Sequence, residues 1–82
     1  MAILFLSASF GQSQTGLTAV GYTIKTKTGS EHQARSTDNV VELGNGVYGA
    51  ELNLPDNNIF IVLWDNGATN LRTAYSYVDT TL

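Results

Sequence analysis

The sequence predicts an all-β protein, a six- to seven-stranded antiparallel β-sandwich. Three observations predict it. Short runs rich in Val, Ile, Thr and Tyr alternate apolar residues with polar or small ones; clusters of Gly, Asn and Asp punctuate them at spacings of about ten residues; and no window carries a helical period. Short strands of this kind bury an apolar face only when two sheets pack on each other, so the sandwich is the natural solution and an open barrel the alternative.

Residues 2–7, Ala-Ile-Leu-Phe-Leu-Ser, read as the first strand. The run has no basic residues ahead of it and is shorter than the apolar stretch of a secretory signal. No segment approaches the ~20 apolar residues of a membrane span, so the chain is expected to be soluble. Gln12–Gly16 by sequence, residues 12–16, reads as a flexible connector between this strand and the rest, and an arm exchanged with a neighbouring copy is one use for it. The whole chain, residues 1–82, is then one domain: residues 1–14 form an N-terminal strand and connector, residues 15–82 the sandwich body.

In residues 17–27, Val20, Tyr22 and Ile24 alternate with Ala19, Gly21 and Thr23, and Thr28-Gly29-Ser30 ends that strand in a turn. Residues 31–35 form a short edge strand and residues 39–43 another, closed by Gly44-Asn45-Gly46, a segment suited to positive φ. In Val47–Leu54, Tyr48, Ala50, Leu52 and Leu54 share one face. Pro55-Asp56-Asn57-Asn58 turns the chain through the fixed φ of proline and the local bonds of Asx side chains. Residues 59–64, Ile-Phe-Ile-Val-Leu-Trp, are apolar on both faces, which marks a central strand with the core on one side and a partner or loop on the other. Asp65-Asn66-Gly67 is the tightest turn signal. The last strand, residues 71–78, has Tyr75 and Tyr77 facing one way and Ala74, Ser76 and Val78 the other.

Composition narrows the function. With 82 residues the chain buries only about 60% of its unfolded surface, so its stability margin is thin. It has no cysteine, hence no disulfides and no thiolate metal site. Association with other chains becomes the favoured support, and homo-oligomers are expected. Charged residues are 13% of the chain, half the usual share of roughly 25%. Such a surface resists protein contact less than one covered in Lys and Glu. A net charge of -3 with four Lys and Arg excludes a nucleic-acid surface.

Catalytic chemistry has little material. His32 is the only histidine and stands beside Glu31 in a weakly patterned segment, with no nucleophile elbow around any serine. Asp56, Asp65 and Asp79 are strand-end carboxylates that would serve calcium or a glycosidase only by converging, and Asp56 and Asp65 are explained as turn formers. Residues 44–49 imitate a glycine-rich phosphate loop, but no helix follows to hold an anion. No catalytic residue, metal or cofactor is expected. Trp64, Tyr75 and Tyr77 are the side chains with binding chemistry, because aromatic faces stack on sugar rings and amphipathic rings favour interfaces. Core packing is the competing role, favoured for Trp64 and evenly balanced for the tyrosines. The apolar strand Ile3-Leu4-Phe5 is the expected interface, since an uncovered hydrophobic edge invites pairing.

The runs Thr15-Gly16-Leu17-Thr18, Glu42-Leu43-Gly44-Asn45-Gly46-Val47-Tyr48, Leu52-Asn53-Leu54-Pro55 and Val62-Leu63-Trp64-Asp65-Asn66-Gly67 resemble a small β-sandwich module of virion proteins of tailed bacteriophages. Capsid decoration (cement) proteins, head fibres and tail appendages carry such modules, with immunoglobulin-like or transthyretin-like architecture. The resemblance spans residues 15–78. It implies a non-enzymatic viral structural protein, located in the virion and assembled in the host cytoplasm. Its partners would be the major capsid protein or another virion protein, with neither nucleic acid nor membrane. The alternative is a carbohydrate-binding or host-adhesion module of a virion appendage, which would take a glycan. A small inhibitor or carrier of transthyretin type comes third and an enzyme last.

Overall fold

Alternating side chains become two sheets through strand register. The computed structural model describes residues 2–68 and 71–81. Seven strands follow in order: β1 (Ala2–Ser9), β2 (Gly21–Thr26), β3 (Glu31–Ser36), β4 (Val41–Gly44), β5 (Val47–Leu54), β6 (Ile59–Asp65) and β7 (Thr73–Asp79). No helix occurs among the described residues. One sheet runs β1-β5-β4 and the other β3-β2-β6-β7, with every pairing antiparallel. The all-β sandwich predicted from the sequence is what forms.

The core lies between β5 on one side and β2 and β6 on the other. Tyr48, Ala50, Leu52 and Leu54 of β5 are buried against Tyr22 and Ile24 of β2 and Phe60, Val62 and Trp64 of β6. Each of the large side chains contributes about 1.5–3 kcal/mol by leaving water. Aromatic rings meet tilted, Tyr22 with Trp64 at 5.4 Å and Phe10 with Tyr48 at 6.0 Å. The apolar run of β6 is indeed central, as its two-sided pattern requires.

Several segments depart from the sequence-based expectation, mainly because groups distant in the chain claim their backbone. The strand expected from residue 17 starts only at Gly21. The backbone before it bonds to side chains instead: Leu17 N–H donates to the Tyr48 hydroxyl (3.0 Å), and the Ala19 carbonyl accepts from Arg35 (2.5 Å). The connector around residues 12–16, expected to be loose, is tied down at Gln14. Its carbonyl accepts from the Tyr48 hydroxyl (2.6 Å) and its side-chain oxygen from Asn66 Nδ2 (3.0 Å). The first strand also extends past Ser7 to Ser9, because Ser7, Ala8 and Ser9 stay in register with Gly49, Tyr48 and Val47.

A further departure is the turn after β6. Gly67 N–H bonds to Asp65 Oδ1 (3.0 Å) and Ala68 N–H to Asn66 Oδ1 (3.2 Å), so Asx turns do form. Yet β7 begins at Thr73, not at residue 71. Asn66 is 1% exposed and staples the connection shut, its Oδ1 accepting from Arg72 N–H (3.1 Å) and its own N–H donating to the Arg72 carbonyl (3.1 Å).

The β4–β5 turn behaves as its residues demand, with Gly44, Asn45 and Gly46 at φ of 97°, 55° and 77°. Gly46 carries a second constraint. A Cβ there would lie 1.8 Å from the carbonyl oxygen of Gly11, whereas one on Gly44 would meet nothing. Gly46→Ala is therefore expected to lower the free energy of urea unfolding by about 3 kcal/mol or more. Gly44→Ala, facing only the left-handed backbone cost, should lose about 1–2 kcal/mol. Equal losses would show that the close approach of the two backbones is irrelevant.

Candidate functional site

The outward faces of the two sheets hold the side chains that the core does not use. On the β1-β5-β4 sheet, β1 alternates: Leu4, Leu6 and Ala8 turn toward the core, while Ile3 and Phe5 turn to solvent, 65% and 56% exposed. Of the expected interface residues Ile3, Leu4 and Phe5, two are therefore available. Leu4 is not, because the period of two places it against the core. Phe5 stands opposite Glu51 in the pairing, and its ring reaches over Gly49, where a Cβ would lie 2.6 Å from Phe5 Cζ. Gly49 in turn pairs with Val41 of β4. Val41 and Leu43 are about half exposed, so an apolar strip crosses the sheet from Ile3 through Phe5 to β4. The sequence marks residues 39–43 only as a short strand, and the register shows that Val41 continues the β1 patch.

On the β3-β2-β6-β7 sheet, Tyr75 and Tyr77 are 75% and 62% exposed on one face of β7, opposite Leu63 and Ile61 of β6. They lie together as expected. Trp64 does not join them. It is 1% exposed, its ring packs on Tyr22, and its indole N–H has no acceptor among the described residues. As the inner neighbour of Leu63 it belongs to the core, and no ligand can stack on it. A groove of about 540 Å³ runs beside Tyr75, between Leu63, Leu71, Thr23 and Thr73.

Asp65 ends that groove. Arg35 grips its carboxylate with a two-pronged bond, Nε to Oδ2 at 2.8 Å and Nη2 to Oδ1 at 2.7 Å. Gly21 makes the reach possible, since a Cβ on it would sit 2.7 Å from the guanidinium carbon. The Arg35 bond holds the Asp65 carboxyl below the ordinary carboxylate range against some opposition from burial, with a further bond from Gly67 N–H.

No protein-family model matches the chain, and no curated protein or solved structure matches it.

The remaining candidates are dispersed. His32 lies on the exposed edge strand β3 with its ring 4.9 Å from that of Phe60. Asp65 and Asp79 sit at opposite ends of the β6–β7 pair, opposite Thr73 and Ile59 respectively. Among the described residues no three His, Cys, Asp or Glu side chains gather into a metal site. Gly44-Asn45-Gly46 is a hairpin turn leading into β5, so residues 44–49 form no phosphate loop.

The Arg35–Asp65 pair sets a pH dependence. Its carboxyl titrates lower in the folded chain than in the unfolded one, so its stabilisation is complete above the ordinary carboxylate value of 3.8 and fades as pH falls through the lower folded value. Half-exposed pairs contribute little, which keeps the effect small. The urea midpoint should fall as pH drops below about 4, and it should fall less in Asp65→Asn. An identical acid profile in that variant would contradict the assignment.

Proposed function

We infer that the chain is a non-enzymatic structural module that acts by packing against other proteins, as a capsid decoration or cement protein does on a phage shell. The observation that carries the reading is the apolar strip of Ile3, Phe5 and Val41 on the outer face of the β1-β5-β4 sheet, with Leu43 half exposed at the register shift beside it. Monomeric proteins seldom leave such a contiguous patch to water without a use for it. The low charge of the chain supports the same reading, because charged groups are what interface cores lack. The virion setting and the major capsid protein as partner come from the resemblance of the turn-and-strand motifs. In that setting the module would cover joints between capsomers and add buried area at each contact, holding the shell against the pressure of packaged DNA.

Mass spectrometry of purified particles tests the setting. Decoration predicts hundreds of copies per particle, a tail or fibre role predicts a few, and absence removes the virion reading. An Ile3→Ser, Phe5→Ser double variant should lose at least tenfold in shell occupancy. It should unfold within about 1 kcal/mol of the wild type, since both side chains are mainly in water. Undiminished occupancy would reject the strip as the contact.

A second reading rests on the other face. Tyr75 and Tyr77 lie side by side and exposed next to a groove with threonine walls, a platform on which a sugar ring would stack. A Tyr75→Ala, Tyr77→Ala double variant should then lose all binding on a glycan array. A wild-type chain that binds no glycan at high concentration would dismiss this reading.

A further inference from the structure

The backbone of β1 is open on one side, and its register shows which groups are free. Phe10 N–H donates to the Gly46 carbonyl at 3.0 Å, one step beyond the Ser9–Val47 pairing. In an antiparallel ladder hydrogen-bonded and non-hydrogen-bonded pairs alternate. Counting back from Phe10, Ala8, Leu6 and Leu4 aim their N–H and C=O groups at β5. Ile3, Phe5, Ser7 and Ser9 aim theirs away from the sheet. At the far end Arg72 Nη1 bonds the Phe10 carbonyl (2.8 Å), so the open ladder stops at Ser9.

Proteins defend such edges with charge, bulges, proline or brevity. The other three edge strands here have those defences. β3 carries Glu31 and Arg35 and two register shifts; β4 has four residues, Glu42 and a register shift; β7 ends on Asp79. β1 has none. It spans eight residues without a charge or proline and keeps one unbroken register with β5.

We propose that β1 pairs edge to edge with β1 of a second copy of this chain, antiparallel about a two-fold axis through Leu6. This deepens the assembly reading above by naming a partner for the same strand, and it rests on that reading only in sharing the strand. The register follows from using all four open residues of each copy. Ile3 then faces Ser9 of the partner, and Phe5 faces its Ser7. Leu4 faces Ala8, and Leu6 meets Leu6 on the axis. A large side chain meets a small one at every step away from the axis, so the seam closes without crowding. The chain carries a net charge of -3, but none of it lies on this strand. A second copy therefore meets no repulsion at the seam. The product is a six-stranded sheet in which the Ile3 and Phe5 strips of both copies form one outer surface.

Sedimentation of the purified chain should give twice the chain mass at micromolar concentration. Ser7→Pro removes an N–H that points away from β5, and Ser7→Lys places a charge on the edge; each should raise the dissociation constant at least tenfold while circular dichroism stays sheet-like. The chain lacks cysteine, so Leu6→Cys should form a disulfide-linked dimer on oxidation and Glu51→Cys should not. If Leu6→Cys proves unstable, mixed Phe5→Cys and Ser7→Cys chains read the same register by cross-linking to each other. A monomeric wild type, a dimer indifferent to both Ser7 variants, or a dimer without the expected cross-link overturns the pairing. All of this is read on the chain alone, whereas the shell reading stands or falls on particle composition.

Discussion

Burial of the inner faces of β5 and β6 is the constraint on which the structure depends. A chain of this size without disulfides has only apolar burial to offset its conformational entropy. Leu54, Val62, Ala50 and Tyr48 are essentially sealed from water, and each comes from the alternate positions of a strand at the middle of its sheet. The consequence spreads outward. Once even-numbered residues of β5 and β6 are committed inward, the odd-numbered ones must face solvent, and neighbouring strands inherit the same parity through their registers. Ile3 and Phe5 on one sheet and Tyr75 and Tyr77 on the other are exposed for that reason.

Polar groups at the rim convert this layered core into a closed unit. Tyr48 reaches from β5 with its hydroxyl to both Gln14 and Leu17, and buried Asn66 reaches from the end of β6 to Gln14 and Arg72. The two side chains meet at Gln14 from opposite sheets. Neutral hydrogen bonds of this kind contribute about 0.5–1.5 kcal/mol each, but an abandoned buried partner costs more, so they fix where the connections lie. Arg35 and Asp65 do the same on the outer face of the other sheet with charge, across a glycine that leaves them room.

The parts that could be read from the sequence were those governed by local period. Val47–Leu54 alternates cleanly and forms a strand over those bounds, and the two-faced run from Ile59 becomes central as it must. What could not be read was governed by distant partners. Residues 17–20 have strand-like composition, but their backbone groups are claimed by Tyr48 and Arg35. The Asp65–Gly67 signal is genuine turn chemistry, yet Asn66 holds a longer connection because its partner is Arg72. Leu4 is expected at the interface with Ile3 and Phe5 by adjacency in the chain, and parity separates it from them, while Trp64 takes the core position favoured for it. Val41 becomes part of that surface only because Gly49 brings it beside Phe5.

The pairing of β1 with β5 also has a cost in time. Ala2 meets Leu54 and Ser9 meets Val47, so the partner of the first strand is synthesised after three others have left the ribosome. At roughly 5–20 residues per second, that leaves the uncharged apolar segment unpaired on the nascent chain for a few seconds. The interval is long beside the roughly 1–10 microseconds in which local hairpins form. The β2–β3, β4–β5 and β6–β7 hairpins need no such delay, because each pairs strands adjacent in the chain. All strands of the β1-β5-β4 sheet exist once Leu54 is made, but until then the most adhesive strand of the molecule is also the one most in need of shelter.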